Sequence, residues 1–392
     1  MPANEKIEKV EVSAYTIPTK TPESDGTLEW RNTTIVLVRV TAGGQVGLGY
    51  SYADVATAHL IEHTLAPKVT GLDSFAIGQA WQVMGLAIRN LGRPGVCSMA
   101  IAAVDNALWD LKGKLLDISV ADLIGLVRPA VMAYGSGGFT SYTDKELRDQ
   151  MTGWANSGLR AVKMKIGRDA AADIQRVKLV RDAIGPRVEL FVDANGAYTR
   201  KQALYQAQRF AEFGVSWFEE PVSSDDLDGL RLIRDSGPAG MNIAAGEYGY
   251  DAWYFERMLS AGAVDVLQAD ATRCGGISGF LQADALCEGH CMPLSAHTAP
   301  SIHAHVCCAA QRIINTEYFF DHVRVEHMAF DGAIEARDGM LWPDVSRAGL
   351  GLVWKTQDML PFQVYGGNPR ARAIQNGRER AVHRPAIRFN SH

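Results

Sequence analysis

Seven ionisable residues follow short apolar runs at intervals of 20 to 28 residues through the central and later parts of the chain. In chain order they are Lys165, Asp193, Glu219, Glu247, Asp270, His297 and Glu317. Carboxylates bind hard divalent cations, and lysine and histidine side chains transfer protons. The set therefore predicts a metal site with a proton-transferring group on each side of it.

The spacing of these residues predicts the elements that position them. A strand, a helix and two loops take roughly 25–30 residues, which is the repeat of a (β/α) barrel. The carboxyl ends of the strands in such a barrel converge on one mouth, where the chemistry takes place. We expect the first barrel strand near Val131 in VMAYGS and the eighth near residues 312–316.

Three acids end three consecutive predicted strands. Asp193, Glu219 and Glu247 follow VELFV, VSWF and MNIAAG. Buried carboxylates repel one another unless they share a cation, and an all-oxygen ligand set favours Mg²⁺. The alternative is that each acid caps a helix or lies on the rim. Glu220 directly follows Glu219, and strand alternation turns it away from the site.

Two lysines, Lys163 and Lys165, lie two residues apart in AVKMKIG, so both point to the same side of a strand. Two inward lysines are unfavourable in a packed core. A second ammonium and a metal cation nearby both disfavour a charged lysine. We therefore expect the pKa of Lys165 to be lowered, which prepares it as a base. The alternative is a surface strand with both amines in solvent.

The last predicted strands carry an acid–imidazole pair and a further acid. Asp270 and His297 end neighbouring strands, where the carboxylate would set the tautomer of the imidazole. Glu317 follows the eighth strand, and a neutral carboxylic acid there would donate a hydrogen bond to a developing oxyanion. Glu326 in VRVEHM is the competing candidate for this role.

The first third of the chain lacks this repeat. Alternating segments at 7–17, 33–41 and 46–50, followed by helical patterns, predict an α+β domain over 1–125. The polar segment 19–32 is expected to be a mobile loop over the barrel mouth. The barrel is assigned to 126–330. Residues 331–392 are expected to return to the first domain and to end in an arginine-rich tail.

The composition of the 392 residues narrows the class of protein. The formal charge of −5 argues against a nucleic-acid partner, and no apolar run is long enough for a membrane span. The N-terminal residues lack the apolar core of a signal peptide. The six cysteines form no C-x-x-C pair, and buried thiols in the cytoplasm are favoured over zinc binding by Cys287 and Cys291.

Together these motifs resemble the enolase superfamily and its mandelate racemase subgroup. The similarity covers AIAAVDNALWDLKGKLL, AVKMKIG, VDANGAY, FEEP, AAGE, LQAD and SAH. It implies a modified (β/α)₇β TIM-type barrel in the α/β class with an α+β N-terminal capping domain, one Mg²⁺, and removal of the proton α to a carboxylate. It also implies roles for the seven residues: Asp193, Glu219 and Glu247 as ligands, Lys165 (with Lys163) and His297 (with Asp270) as acid–base groups, and Glu317 as a donor to the enolate.

The resemblance also suggests a reaction. Asp270 stands where enolase and the cycloisomerase branch carry lysine, and Glu247 stands where glucarate dehydratases typically carry asparagine. We therefore expect an acid-sugar dehydratase that gives a 2-keto-3-deoxy acid. The alternatives are a racemase or epimerase of a 2-hydroxy acid, and a barrel that binds without turnover. A small carboxylate is the expected partner, contacted by Tyr134, Ser136 and Asn195, in a homo-oligomer.

Overall fold

The computed structural model describes residues 5–366. The N-terminal domain opens with three long antiparallel strands and continues with helices. These elements are β1 (Lys9–Ser24), β2 (Glu29–Ala42), β3 (Gln45–Tyr52), α1 (Ala56–Leu60), a π-helical turn (Ile61–Leu65), α2 (Ala66–Val69), α3 (Ile77–Ala87), α4 (Val96–Leu116) and α5 (Val120–Ile124). The sheet and the helices bury a separate apolar core between them.

The central part alternates strands and helices. Its elements are β4 (Val131–Gly137), α6 (Asp144–Asn156), β5 (Ala161–Lys165), α7 (Ala170–Ile184), β6 (Glu189–Asp193), α8 (Arg200–Ala211), β7 (Val215–Glu219), α9 (Leu227–Ser236), β8 (Asn242–Ala245), α10 (Ala252–Ser260), β9 (Val266–Ala269), α11 (Gly276–Gly289), β10 (Leu294–Ala296), α12 (Pro300–Ala309), β11 (Ile313–Phe319) and α13 (Phe320–Ala329). Strands β4 to β11 are all parallel, and β11 pairs with β4, so the barrel is closed.

The remaining described elements lead back to the first domain. They are β12 (Phe330–Asp331), β13 (Met340–Leu341), β14 (Val353–Trp354), α14 (Thr356–Met359), a 3₁₀ turn (Leu360–Phe362) and β15 (Gln363–Tyr365). Strand β15 pairs with β1 and adds a fourth strand to the N-terminal sheet. The expected fold, a TIM-type barrel with an α+β capping domain, is confirmed. The domain limits at 125 and 330 stay predictions, and the arginine-rich tail lies outside the described residues.

The segment expected to be a mobile loop is a β-hairpin instead. Strands β1 and β2 extend through it and leave a short turn after Ser24. The tip of this hairpin packs on the barrel mouth, where a Cβ on Gly26 would lie 2.6 Å from the backbone oxygen of Ala194 and 2.7 Å from that of Ile166. Glu23 and Ser24 are fully buried. Loop composition was misleading because the barrel covers these polar side chains.

The capping domain is docked on the barrel by helix α4. Asp105 accepts hydrogen bonds from the backbone and hydroxyl groups of Ser278 at 2.9 and 2.7 Å. Asn106 donates to the carbonyl of Ala271 at 2.9 Å. A Cβ on Gly276 would lie 2.3 Å from Asp105, so glycine is needed there. These bonds place the capping sheet over the end of β9.

No helix among residues 5–366 is long and apolar enough to cross a membrane. The cytoplasmic location and the homo-oligomeric state stay predictions.

Candidate active site

Three carboxylates from consecutive strands meet at the mouth of the barrel. One oxygen from each of Asp193, Glu219 and Glu247 lies within 4.8 Å of the other two. Asp193 and Glu219 are the last residues of β6 and β7 and pair in register, and Glu247 follows β8. Burial, and then the charge of Asp193, raise the pKa of Glu219 to about 8. The grouping is thus unfavourable without a cation to share.

The donor set fits a hard divalent cation. The backbone N–H of Asn195 donates to Asp193 at 2.9 Å, and the indole N–H of Trp217 donates to Glu219 at 3.0 Å, so both carboxylates are oriented. Oε2 of Glu247 is buried and makes no hydrogen bond within the described part of the chain, although Nε2 of His297 lies 3.2 Å away. Three carboxylate oxygens without nitrogen or sulfur ligands suit Mg²⁺.

The two lysines of β5 occupy different depths. Lys165 contacts Asp193 and lines the cavity at the mouth. Lys163 is fully buried below it, with its Nζ 2.5 Å from Glu219 and 2.9 Å from Glu317. The alternative of a surface strand is therefore wrong. Lys165 is the lysine that a ligand reaches, and Lys163 balances the acids beneath it.

The pKa of Lys165 is shifted in the direction opposite to the expectation. Burial is the largest influence and lowers it, but the negative charges of Asp193, Glu247 and Glu317 together outweigh burial and the neighbouring ammonium of Lys163, and the pKa is raised. The expected shift included the repulsion from the ammonium of Lys163 but not the attraction of the surrounding carboxylates. A divalent cation on the same carboxylates would oppose this shift, because it cancels the charge that causes it.

His297 and Asp270 form the expected pair. Nδ1 of His297 lies 2.9 Å from Oδ2 of Asp270, which leaves Nε2 toward Glu247. The other oxygen of Asp270 accepts from the backbone and hydroxyl of Thr272 at 2.6 and 2.8 Å. Burial lowers the pKa of His297, but the charges of Glu247 and Glu317 and the bond to Asp270 raise it to about 9. The imidazole is held in one orientation and as a cation.

Glu317 and Glu326 have different surroundings. Glu317 lies within β11, not after it, and lines the cavity 3.7 Å from His297. Glu326 is buried on α13 and accepts a hydrogen bond from Tyr50 at 2.6 Å. Geometry therefore favours Glu317 as the acid at the site. Burial raises its pKa, but Lys163 and His297 lower it to about 2. These charges favour the ionised form, which is opposite to the expected neutral donor, and the role of Glu317 toward a substrate stays a prediction.

The three predicted substrate contacts fall in different layers. Asn195 lines the cavity, and its side-chain oxygen is buried without a hydrogen-bond partner among the described residues. Tyr134 lies in the barrel interior against Phe191 and Trp217 and is not among the described residues that line the cavity, so its expected substrate contact stays a prediction. Ser136 is also fully buried and donates to Glu317 at 2.5 Å. Both side chains point inward but below the mouth, because β4 continues beyond Tyr134.

The cavity itself has a volume of about 440 Å³ and lies between the two domains. Sequence reasoning missed several of its lining residues, among them Tyr52, Arg273 and His322, whereas Trp30 belongs to the segment 19–32 that was expected over the mouth. Arg273 lies 3.5 Å from the carboxylate of Glu247 and donates to its backbone oxygen at 3.0 Å. Arg273 follows Asp270 by three residues, and this nearness could have predicted its place at the site. Tyr52 and His322 gave none, because neither lies at the end of a barrel strand.

Family models match most of the chain. Residues 146–358 match the enolase C-terminal domain-like family, and residues 9–125 match the mandelate racemase/muconate lactonizing enzyme N-terminal domain. The chain belongs to the enolase superfamily. Within it the chain falls in the mandelate racemase subgroup, so the resemblance seen in the sequence motifs is confirmed.

A solved relative has the same architecture throughout. It is a mandelate racemase/muconate lactonizing enzyme-like protein from Rubrobacter xylanophilus, 51% identical, with a TM-score of 0.90 over 92% of this chain and 100% of that one. This likeness covers both the capping domain and the barrel.

Relatives with known activities include acid-sugar dehydratases. L-talarate/galactarate dehydratase from Salmonella typhimurium is 31% identical over 90% of each chain. Its structure with Mg and L-lyxarohydroxamate has a TM-score of 0.84 over 93% of this chain and 95% of that one, at 28% identity. Arabinonate dehydratase from Saccharolobus solfataricus is 33% identical over 79% of this chain and 85% of its own. Other relatives are cycloisomerases and an epimerase. This chain is accordingly an enzyme of the enolase superfamily.

Proposed function

We propose that the protein is an acid-sugar dehydratase that uses Mg²⁺. The observation that carries the proposal is the arrangement of Lys165 and His297 around the carboxylate triad. Lys165 ends β5 and His297 follows β10, with β4 and β11 between those strands on one side of the barrel and four strands on the other. Both side chains line the same cavity. A ligand bound there has a proton-transferring group on each side.

The metal site supports this assignment. Asp193, Glu219 and Glu247 form an all-oxygen set, and magnesium is bound in structures of relatives, including a racemase from Streptomyces coelicolor. The chemistry that a bound Mg²⁺ supplies is stabilisation of the second negative charge that develops on the substrate carboxylate when the α-proton leaves. The residues of the chain carry the proton transfers.

The proposed dehydration needs two proton transfers, one on each side of the bound substrate. Lys165, as a neutral amine, takes the proton from the carbon α to the carboxylate. His297 is a cation whose Nδ1 is held by Asp270, and it gives the proton on its Nε2 to the β-hydroxyl. The carbon–oxygen bond then breaks with loss of water. The electron pair of the C–H bond becomes the new C=C bond. The enol that results tautomerises to a 2-keto-3-deoxy acid.

The test is a screen of sugar acids with the purified protein and Mg²⁺, with 2-keto acid measured as the semicarbazone. We expect product from at least one acid and none from the His297→Asn variant. The same samples in D₂O, followed by NMR, report exchange of the α-proton. Exchange with inversion at the α-carbon and without keto acid would make the protein a racemase or epimerase and overturn the proposal.

A further inference from the structure

We propose that the substrate carries a single carboxylate, and that its hydroxylated, uncharged end lies against a wall without lysine or arginine, built by the capping domain and α13. We call this the distal wall, and it consists of Trp30, Asn32, Thr34, Tyr52, Asp54 and His322. The inference rests on the proposed function and narrows its substrate from acid sugars to monocarboxylic ones. The relatives leave this open, since they include both an arabinonate dehydratase and a galactarate dehydratase.

The cavity has its cations at one end only. Among the described residues that line it, the basic side chains are Lys165 and Arg273, and the imidazole of His297 lies on the same side. All three lie beside the carboxylates of the triad: Lys165 contacts Asp193, and the other two lie within 3.5 Å of Glu247. This end receives the carboxylate next to the reacting carbon. No lysine or arginine among residues 5–366 lines the cavity on the side built by the capping domain and α13.

Arg273 is the cation that a second carboxylate would need, and its charge is already balanced. Its guanidinium lies 3.5 Å from Glu247 and 3.7 Å from Asp270, donates to a backbone oxygen, and packs 5.4 Å over the ring of Tyr248. A second carboxylate would therefore compete with two existing acids for it. Such competition makes this end a poor site for a further anion.

Two acids of the capping domain also line the cavity and make it less favourable still for a second anion. Asp25 accepts from the backbone N–H groups of Thr27 and Leu28 at 2.6 and 2.7 Å, and Asp54 accepts from that of Ala56 at 2.8 Å. Both line the cavity and neither has an ion-pair partner among the described residues. A second carboxylate placed here would be unpaired and next to like charge, which is unfavourable in a partly dry cavity.

His322 provides recognition of a neutral group at this end. Its ring stacks on Tyr52 with centroids 3.4 Å apart at 14° and meets the edge of Phe319 at 5.1 Å. Its Nδ1 is buried and has no hydrogen-bond partner among residues 5–366. Burial and the charge of His297 lower its pKa to about 3. A neutral imidazole offers one donor and one acceptor, which match a hydroxyl group and cannot neutralise a carboxylate.

The wall is held rigidly by the buried Glu326. Tyr50 donates to one of its oxygens at 2.6 Å, and Ser301 donates to the other from its backbone and its hydroxyl at 3.0 and 2.6 Å. Tyr52 donates to the backbone oxygen of His322 at 3.3 Å. The stack therefore joins β3 of the capping domain to α13 of the barrel, and its ring positions are fixed before a ligand binds.

The experiment compares matched acids that differ only at the far end. Galactonate with galactarate, and arabinonate with arabinarate, are offered to the enzyme with Mg²⁺, and kcat/KM is measured for each. We expect kcat/KM for the monocarboxylate to exceed that for the dicarboxylate by at least about tenfold. Equal or better use of the dicarboxylates overturns the inference while it leaves the dehydratase function intact.

Binding separates failure of the inference from failure of the function. The same acids are titrated into the His297→Asn variant with Mg²⁺ by calorimetry, where turnover is blocked and the distal wall is unchanged. Tighter binding of monocarboxylates supports the inference about the substrate. Absence of keto acid with the wild-type enzyme would count against the dehydratase function only. Tighter binding of dicarboxylates refutes it.

A charge placed on the wall should change the preference. His322→Arg, whose planar side chain can also stack on Tyr52, is expected to shift the ratio of dicarboxylate to monocarboxylate kcat/KM upward by at least about tenfold. His327→Arg, on the same helix but exposed and outside the cavity, adds the same charge and should leave the ratio unchanged. An unchanged ratio in folded His322→Arg contradicts the inference.

A neutral series covers the case in which His322→Arg fails to fold. His322→Gln keeps a donor and an acceptor and should retain a KM within a few-fold of wild type. His322→Phe keeps the stack but loses the hydrogen bonds, and it should raise KM for monocarboxylates about tenfold with little change in kcat. A purely structural role for His322 predicts the same KM in both variants. Equal KM values would therefore show that His322 does not contact the substrate.

Discussion

The two ends of the cavity are built in different ways. At the reaction end, charged groups are held by the register of parallel strands, as when Lys165 stands beside Asp193, and Asp193 beside Glu219. At the distal wall, Tyr52 comes from the capping domain and His322 from α13, and they meet only because the domains dock. The reaction end is thus set by local barrel geometry, and the distal wall by tertiary packing.

This difference separates chemistry from recognition. A change in the docking of the capping domain moves the distal wall but leaves strand register intact. We therefore expect variants at the reaction end to abolish turnover, and variants at the capping domain to change which substrate is used and how tightly it binds. The following predictions are ordered from the largest expected effect to the smallest.

The largest effect should come from the metal ligands. Glu219→Gln removes one of three carboxylates, so Mg²⁺ binding weakens and turnover is expected to fall by about 10⁴-fold or more. Addition of Mg²⁺ should raise the thermal unfolding temperature of the wild type, because a ligand that binds the native state stabilises it, and this increase should be lost in the variant. Differential scanning fluorimetry with and without Mg²⁺ measures it.

Glu220→Gln is the matched control for that prediction. Glu220 is the next residue and is equally buried, but it lies outside the carboxylate triad. Burial and the charges of Glu247 and Asp193 raise its pKa well above its ordinary value, so the substitution changes little charge. If Glu220→Gln lost the Mg²⁺-dependent stabilisation and Glu219→Gln kept it, Glu220 and not Glu219 would be the metal ligand.

The two proton-transferring residues should give different partial reactions. His297→Asn is expected to lower dehydration by about 10³-fold, while Lys165 still exchanges the α-proton with solvent. Lys165→Ala should remove both, because no base then remains on that side. NMR detection of deuterium at the α-carbon distinguishes the two. Near-complete dehydration in either variant would show that the residue is not part of the proton transfer.

The hairpin should affect binding more than chemistry. In Gly26→Ala the new methyl group would lie 2.6 Å from the backbone oxygen of Ala194, so the tip of the hairpin must move away from the mouth. We expect KM to rise about tenfold with a smaller loss in kcat. Gly153→Ala in α6, where the added methyl meets nothing within 4 Å, is the control. The same KM in both variants would rule out a role for the hairpin tip.

The smallest effect concerns stability and pH. Burial raises the pKa of Glu326 from 4.5 to about 7, so the folded protein binds a proton that the unfolded chain releases. The free energy of unfolding should therefore fall as the pH rises through this interval, by about 1 kcal/mol per pH unit. Glu326→Gln keeps hydrogen-bonding groups and removes this dependence.

The measurement is the difference in unfolding temperature between Glu326→Gln and the wild type at pH 5 and pH 8. We expect this difference to become more favourable to the variant at the higher pH. Asp105, whose pKa burial also raises to about 7, is present in both proteins, so its contribution cancels. A difference that stays constant between the two pH values would mean that Glu326 does not titrate on unfolding.

Much of the reaction end was predictable from the chain alone. The strands of a barrel recur at near-constant spacing, and their carboxyl ends meet, so the interval between Asp193, Glu219 and Glu247 was enough to bring them together. The alternation of side chains along a strand likewise separated Glu219 from Glu220. The pairing of Asp270 with His297 followed from the adjacency of β9 and β10. These inferences depend only on local periodicity.

The tertiary structure decided everything that depends on depth, charge balance and contact between domains. Tyr134 and Ser136 point inward as alternation requires, but only the closed barrel shows that they lie below the cavity. The pKa of Lys165 and that of Glu317 follow the sum of nearby charges, which spacing does not reveal. The distal wall pairs Tyr52 with His322, residues 270 positions apart, through the docking of two domains. No repeat in the chain encodes that contact, because it arises from packing between separately folded elements.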